Sequence, residues 1–213
     1  MTAPKPRFIL LLAAVLLALA APARAAPLRI VALGDSLTAG YQLPAGDAFP
    51  AKLQAALRAK GHDVEVVNAG VSGDTAAGGL ARLDWSVPDG TDAVIVELGA
   101  NDMLRGLDPA RTRATLAEIL QKLRARGLPV LLAGMLASPN LGPDYKAAFD
   151  AIYPDLSGQY GALLYPFFLD GIALDRGLTL PDGLHPNAPG VDVIVARILP
   201  SVEALISRAK PRV

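Results

Sequence analysis

A chain of 213 residues with 20 basic and 20 acidic side chains has no basic excess to serve as a nucleic-acid footprint. Its lack of cysteine excludes a disulfide framework, a thiol nucleophile and a cysteine metal site. A hydrophobic content of 52% suits a globular domain rather than a disordered one.

Lys5 and Arg7 precede an apolar stretch at residues 8–21, which is followed by the small-residue sequence Ala23-Arg24-Ala25. A charged head, a hydrophobic middle and a cleavable tail make a secretory signal peptide, and the run is shorter than the ~20 apolar residues of a spanning helix. Residues 1–25 are therefore read as a signal cleaved after Ala25, which predicts a periplasmic or secreted protein with no stable membrane anchor. The remainder, residues 26–213, carries 17 basic and 20 acidic side chains, a net charge of −3, and has the length of one domain with its own core.

Short apolar runs then alternate with helical patterns. Strands are expected at 28–33, 64–67, 93–98, 129–133 and 162–165, each a continuous apolar run of the kind found in strands covered on both faces. Helices are expected at 50–59, 76–83, 109–126, 144–159 and 191–207, with Asp108-Pro109 opening the third and Gly127 closing it. This alternation predicts an α/β fold: a five-stranded parallel sheet in a three-layer α/β/α, flavodoxin-like domain with strand order 2-1-3-4-5. Ligands bind beyond the carboxyl ends of such strands, where the order reverses.

The loops at those ends are rich in glycine and polar residues. Gly34-Asp35-Ser36-Leu37 follows the first strand, residues 68–75 (NAGVSGDT) the second, and Gly99-Ala100-Asn101-Asp102 the third; residues 181–187 (PDGLHPN) come before the last helix. Ser36 has three readings: a helix N-cap, part of a phosphate loop, or a nucleophile. The phosphate-loop pattern lacks its lysine, and the G-x-S-x-G elbow fails because Thr38 stands where the second glycine belongs. A serine nucleophile needs a base, and the chain has only His62 and His185. His62 leads into the second strand, at the opposite edge of the sheet, and is read as a surface residue. Asp182 precedes His185 by three residues, a spacing that either orients an imidazole or makes an Asx-turn. Two distant histidines make a poor zinc set, so no metal or cofactor is implied. Gly73 offers a backbone N–H and Asn101 a side-chain amide, which serve either as oxyanion donors or as ordinary turn chemistry.

Taken together, these four loops, in this order, resemble the blocks of the SGNH or GDSL-type hydrolase superfamily. GANDMLRG at 99–106, YKAAFDAIYP at 145–154 and YPFFL at 165–169 are similar to its bacterial periplasmic subgroup of acyl-CoA thioesterases, lysophospholipases and arylesterases. The resemblance implies a serine hydrolase of carboxylic esters or thioesters working through an acyl-enzyme. Ser36 would be the nucleophile, His185 the general acid and base, and Asp182 its orienting carboxylate. The N–H groups of Ser36 and Gly73 and the side chain of Asn101 would form the oxyanion hole. Its substrate would be a small acyl ester or thioester, lysophospholipid included. A carbohydrate acetylesterase or an acyltransferase on the same fold is the alternative within the enzyme class, and a non-catalytic binding domain the alternative outside it. Ala100 and Met103 stand where the subgroup favours glycine and a small residue, so Met103 is expected to line or narrow the pocket. The loop at 136–145 either borders an apolar acyl groove or is a plain connection.

Overall fold

Five parallel strands run through the centre of the computed structural model, which describes residues 26–209. They are β1 (Leu28–Gly34), β2 (Val64–Gly70), β3 (Ala93–Glu97), β4 (Val130–Ala133) and β5 (Leu163–Tyr165), in the order β2-β1-β3-β4-β5. The expected topology is therefore present. The proposed signal segment at 1–25 lies outside the described residues.

Nine α-helices are found among the described residues: α1 (Ser36–Ala39), α2 (Phe49–Ala59), α3 (Ala76–Ala81), α4 (Leu83–Ser86), α5 (Ala100–Leu104), α6 (Pro109–Ala125), α7 (Pro143–Asp150), α8 (Ile152–Tyr160) and α9 (Ala188–Arg208). The β1-to-β2 crossover runs one way along the sheet and the next three run the other. Right-handed connections therefore put α2 on one face and α3, α6 and α8 on the opposite face. Helix α9 packs against α2 and completes the first layer. Its apolar stripe of Val191, Ile194, Ile198, Val202 and Leu205 repeats every three or four residues and is buried, which fixes the face it presents to the sheet. None of the helices among the described residues is long and apolar enough to cross a membrane.

Two expected helices are each broken into two. The pattern at 76–83 stops at Arg82, whose guanidinium donates to Asp74 Oδ2 (2.6 Å) and to the carbonyls of Ala69 and Gly34 (both 2.8 Å). Those bonds hold the chain at the sheet edge and outweigh helical propensity. The pattern at 144–159 breaks at Ala151, between α7 and α8. Other termini follow local chemistry. Asp108 caps α6 by accepting from Ala110 N–H (2.9 Å), and Asn187 starts α9 three residues earlier than expected by accepting from Gly190 N–H (2.9 Å).

Strand register sets the level of the functional edge. Gly34 pairs with Gly70 on one side and Glu97 on the other, Glu97 with Ala133, and Ala133 with Tyr165, so these five residues form one row across the sheet. The chain order reverses between β1 and β3, and the loops leaving those two strands splay apart there.

Candidate active site

The turn after β1 is built so that Ser36 does not cap its own helix. Asp35 occupies the N-cap position, and its Oδ1 accepts from Leu37 N–H at 3.0 Å. Ser36 becomes the first helical residue with its hydroxyl left over for another partner. Gly34 is required here, because a Cβ on it would lie 2.1 Å from Thr38 Oγ1 and 2.8 Å from Glu97 Oε2. The N-cap reading of Ser36 is thus corrected: its neighbour has taken that role.

The Ser36 hydroxyl meets His185 Nε2 at 2.8 Å, across 149 residues of sequence. His185 Nδ1 meets Asp182 Oδ2 at 2.7 Å, and Asp182 Oδ1 accepts from the backbone N–H groups of Leu184 (2.9 Å) and His185 (3.1 Å). The Asx-turn and the imidazole contact are therefore both present, one on each carboxylate oxygen. Burial raises the Asp182 pKa, but the two backbone donors and the imidazole outweigh it and hold the group at about 2. An ionised Asp182 accepts a hydrogen bond from Nδ1–H, which leaves Nε2 as the acceptor facing the Ser36 hydroxyl. The supporting loop is pinned by Leu180 N–H donating to the His185 carbonyl (2.8 Å) and Asn187 N–H donating to the Leu178 carbonyl (3.0 Å). The ring of Tyr41 covers the imidazole at a centroid distance of 4.4 Å, a contact no motif announced.

Gly73 and Asn101 converge on the same edge. Gly73 has φ +86°, a backbone conformation suited to glycine, and its carbonyl accepts from Arg105 Nη2 at 2.7 Å. Among the described residues, neither the Ser36 N–H nor the Gly73 N–H has a hydrogen-bond acceptor, so both are available to an incoming oxygen. Asn101 is different: its Nδ2 donates to Asp35 Oδ2 and to the Asp74 carbonyl, each at 2.9 Å. Both amide protons are engaged, and donation to an oxyanion requires one of them to turn. The helix carrying Asn101 is itself anchored through Asp102, which accepts from Ala76 N–H (2.8 Å) and the Thr112 hydroxyl (3.2 Å).

Beside Ser36 and His185 lies an apolar cavity of about 110 Å³ walled by Leu37, Met103, Met135, Leu169 and Leu184. Met103 therefore lines the pocket, as expected. The loop at 136–145 contributes none of the lining; the wall on that side ends at Met135. That loop is drawn away, with Ala137 N–H donating to Asp150 Oδ1 (2.8 Å) and Tyr145 Oη to the Leu107 carbonyl (2.9 Å). It is the plain-connection reading that fits. At the other edge of the sheet, His62 Nε2 contacts Glu203 Oε1 at 3.1 Å, remote from this site. Sequence reasoning also missed Glu97 and Thr38, which are buried beneath the Ser36 turn. The signal for Glu97 was a carboxylic acid standing inside the apolar run at 93–98.

The model of the GDSL-like lipase/acylhydrolase family matches residues 32–193. Esterase TesA of Pseudomonas aeruginosa is 40% identical over 184 residues, 86% of this chain and 92% of that protein. The thioesterase 1/protease 1/lysophospholipase L1 of Escherichia coli is 38% identical over 179 residues, 84% of this chain and 85% of that protein. The crystal structure of TesA aligns with a TM-score of 0.79 at 39% identity, covering 83% of this chain and 99% of that one. The crystal structure of AlinE4, described as an SGNH-hydrolase family esterase, aligns with a TM-score of 0.72 at 48% identity, covering 84% and 96%.

Proposed function

Because this chain belongs to the GDSL-like lipase/acylhydrolase family and is a serine-type ester hydrolase, we propose that it works through Ser36, His185 and Asp182. The observation that carries this reading is the unbroken series Ser36 Oγ to His185 Nε2 to Asp182, with contacts of 2.8 and 2.7 Å. A serine hydroxyl is a weak nucleophile until an adjacent base removes its proton, and the neutral Nε2 faces that proton directly.

The reaction follows from those contacts. Ser36 Oγ attacks the acyl carbonyl carbon while His185 Nε2 takes its proton. The carbonyl oxygen gains a negative charge and accepts from the free N–H groups of Ser36 and Gly73. The Asn101 amide adds a third donor by turning one proton from Asp35 or the Asp74 carbonyl. The tetrahedral intermediate collapses as imidazolium donates its proton to the departing alcohol or thiol, which leaves an acyl-Ser36 ester. Water then gives a proton to His185, attacks the acyl carbon and releases the carboxylic acid, and Ser36 recovers its hydrogen. Asp182 stays ionised throughout and stabilises the imidazolium.

The apolar slot would receive the acyl chain. A cavity of about 110 Å³ walled by Leu37, Met103, Met135, Leu169 and Leu184 supports apolar acyl chains longer than acetate. The relatives carry the names esterase and thioesterase 1/protease 1/lysophospholipase L1, and this chain's substrates would be esters or thioesters of the same kind. The charged, apolar and small-residue pattern of residues 1–25 supports export, with residues 26–213 acting as one hydrolase domain. Turnover of p-nitrophenyl butyrate by the purified protein tests the mechanism: Ser36→Ala is expected to lower kcat by at least about 10⁴, and a variant that keeps most of its turnover removes Ser36 from it.

A further inference from the structure

Strand β3 ends on an ionisable residue that is closed off from solvent. Glu97 is 1% exposed and lies in the row with Gly34 and Ala133. Its Oε2 accepts from the Thr38 hydroxyl at 2.8 Å and lies 3.4 Å from the Asp35 N–H, while its Oε1 is buried with no hydrogen-bond partner among the described residues. The carboxyl groups of Glu97 and Asp35 are within hydrogen-bonding reach of each other. Asp35 is itself fully buried.

Two buried carboxyl groups in contact do not both ionise at neutral pH, and the pair retains a proton. The donors decide which member keeps it. Asp35 receives the Leu37 N–H on Oδ1 and the Asn101 amide on Oδ2, so each of its oxygens is met. Glu97 receives the Thr38 hydroxyl and a long contact, and one oxygen is unmet; a proton of its own supplies what is missing there. Burial first, and the Asp35 charge second, push Glu97 well above the usual carboxylate range. Burial raises Asp35 as well, but the Leu37 N–H, the Asn101 amide and Glu97 restrain it to about 6. From α8, the Tyr153 hydroxyl is committed to the Leu98 carbonyl at 3.0 Å, and Arg82 reaches the row only through the Gly34 carbonyl.

We propose that Glu97 is a positioning residue for the nucleophile turn: as a neutral carboxylic acid it donates to the Asp35 carboxylate and accepts from Thr38, clamping the residues on either side of Ser36. Through Asp35 the same clamp aims the Asn101 amide. The proposal rests on the reading of Ser36 as nucleophile, and it gives the buried acid of β3 a task in the reaction that neither the triad nor the oxyanion donors perform.

The test compares Glu97→Gln with Glu97→Leu in the purified protein, with kcat expressed per serine titrated by a fluorophosphonate. Glutamine keeps one donor and one acceptor without a charge, and its kcat is expected to stay within about fivefold of wild type, the scale of one altered neutral hydrogen bond. Leucine removes both. Its kcat is expected to fall about tenfold to a hundredfold with KM little changed, short of the 10² to 10³ that losing a whole oxyanion donor costs. Independently of turnover, the infrared difference spectrum between wild type and Glu97→Gln at neutral pH should contain the carbonyl stretch of a buried carboxylic acid. A missing acid band, a glutamine variant as impaired as leucine, or a leucine variant with wild-type kcat per titrated serine overturns the proposal. If Ser36→Ala remains active, the mechanism fails instead, and the infrared band still reports whether Glu97 holds a proton.

Discussion

Replacing Met103 by alanine changes the depth of the acyl slot more directly than any other single substitution at this site. Met103 is 9% exposed, stands in the cavity wall beside Ser36, and loses Cγ, Sδ and Cε in the variant. Three heavy atoms of added depth admit about three more acyl carbons. Each newly buried methylene is worth about 0.8 kcal/mol, or about fourfold in kcat/KM, so the ceiling is about 2.4 kcal/mol or about sixtyfold for the longest chain accommodated. Stability should fall by about 2 kcal/mol, the low end for a buried Met→Ala change because the side chain borders an open cavity. That corresponds to a Tm lower by about 4–8 °C for a chain of this size. The assay is kcat/KM across p-nitrophenyl esters from acetate to decanoate for both proteins. The optimum should move to longer chains while acetate hydrolysis changes little. An unchanged chain-length profile in a folded Met103→Ala variant would refute the placement of the acyl chain in this cavity.

Three further outcomes follow from the same geometry. Asn101→Ala should lower kcat by about 10² to 10³ with little effect on KM, as for loss of one oxyanion donor; a smaller loss would mean that the Asn101 protons stay with Asp35 and the Asp74 carbonyl during turnover. Asp182→Asn should lower kcat by about 10³ to 10⁴ through loss of the imidazole tautomer. It should also alter acid stability. Asp182 falls from its ordinary 3.8 to about 2 on folding, so its stabilisation is present above pH 3.8 and is lost as the pH drops through 2. Chemical denaturation between pH 4 and 2 should therefore show a shallower stability loss in the asparagine variant, and parallel curves would contradict the assignment. Tyr41→Ala removes a ring contact worth about 0.5–1.5 kcal/mol and should lower kcat about two- to tenfold, whereas Tyr41→Phe retains the ring and should stay near wild type. Equal impairment of the two variants would shift the role from the ring to the hydroxyl.

The sheet was legible in the sequence because strands buried on both faces read as unbroken apolar runs, the crossover lengths made those strands parallel, and five of them in β-α alternation suggested the flavodoxin-like order. Asp182 and His185 were legible for a different reason: a three-residue spacing in a Pro- and Gly-bounded turn brings carboxylate to imidazole by local geometry. What was hidden depended on distant contacts. Arg82 breaks a helical pattern only because carbonyls of β1 and β2 lie within its reach. Asp35, rather than Ser36, caps α1 because its second oxygen is held by Asn101, 66 residues away. Tyr41 meets His185 through the folding of a loop with no signature. Glu97 sat in plain view as an acid in an apolar strand, but periodicity cannot say what neutralises it. The sequence left open whether the loop at 136–145 borders the groove or merely connects; the bonds of Ala137 to Asp150 and of Tyr145 to Leu107 draw it aside, and Leu169 and Leu184 help to close the wall.

The mechanism stands on attack of the acyl group by the Ser36 hydroxyl, activated by His185. Reaction of the purified protein with a fluorophosphonate, followed by digestion and mass spectrometry, tests this most directly, since the probe modifies only an activated serine. A single adduct is expected on the peptide containing Ser36, formed in step with loss of esterase activity and greatly slowed in His185→Ala. An adduct on another residue, or full inactivation with Ser36 unmodified, would contradict it.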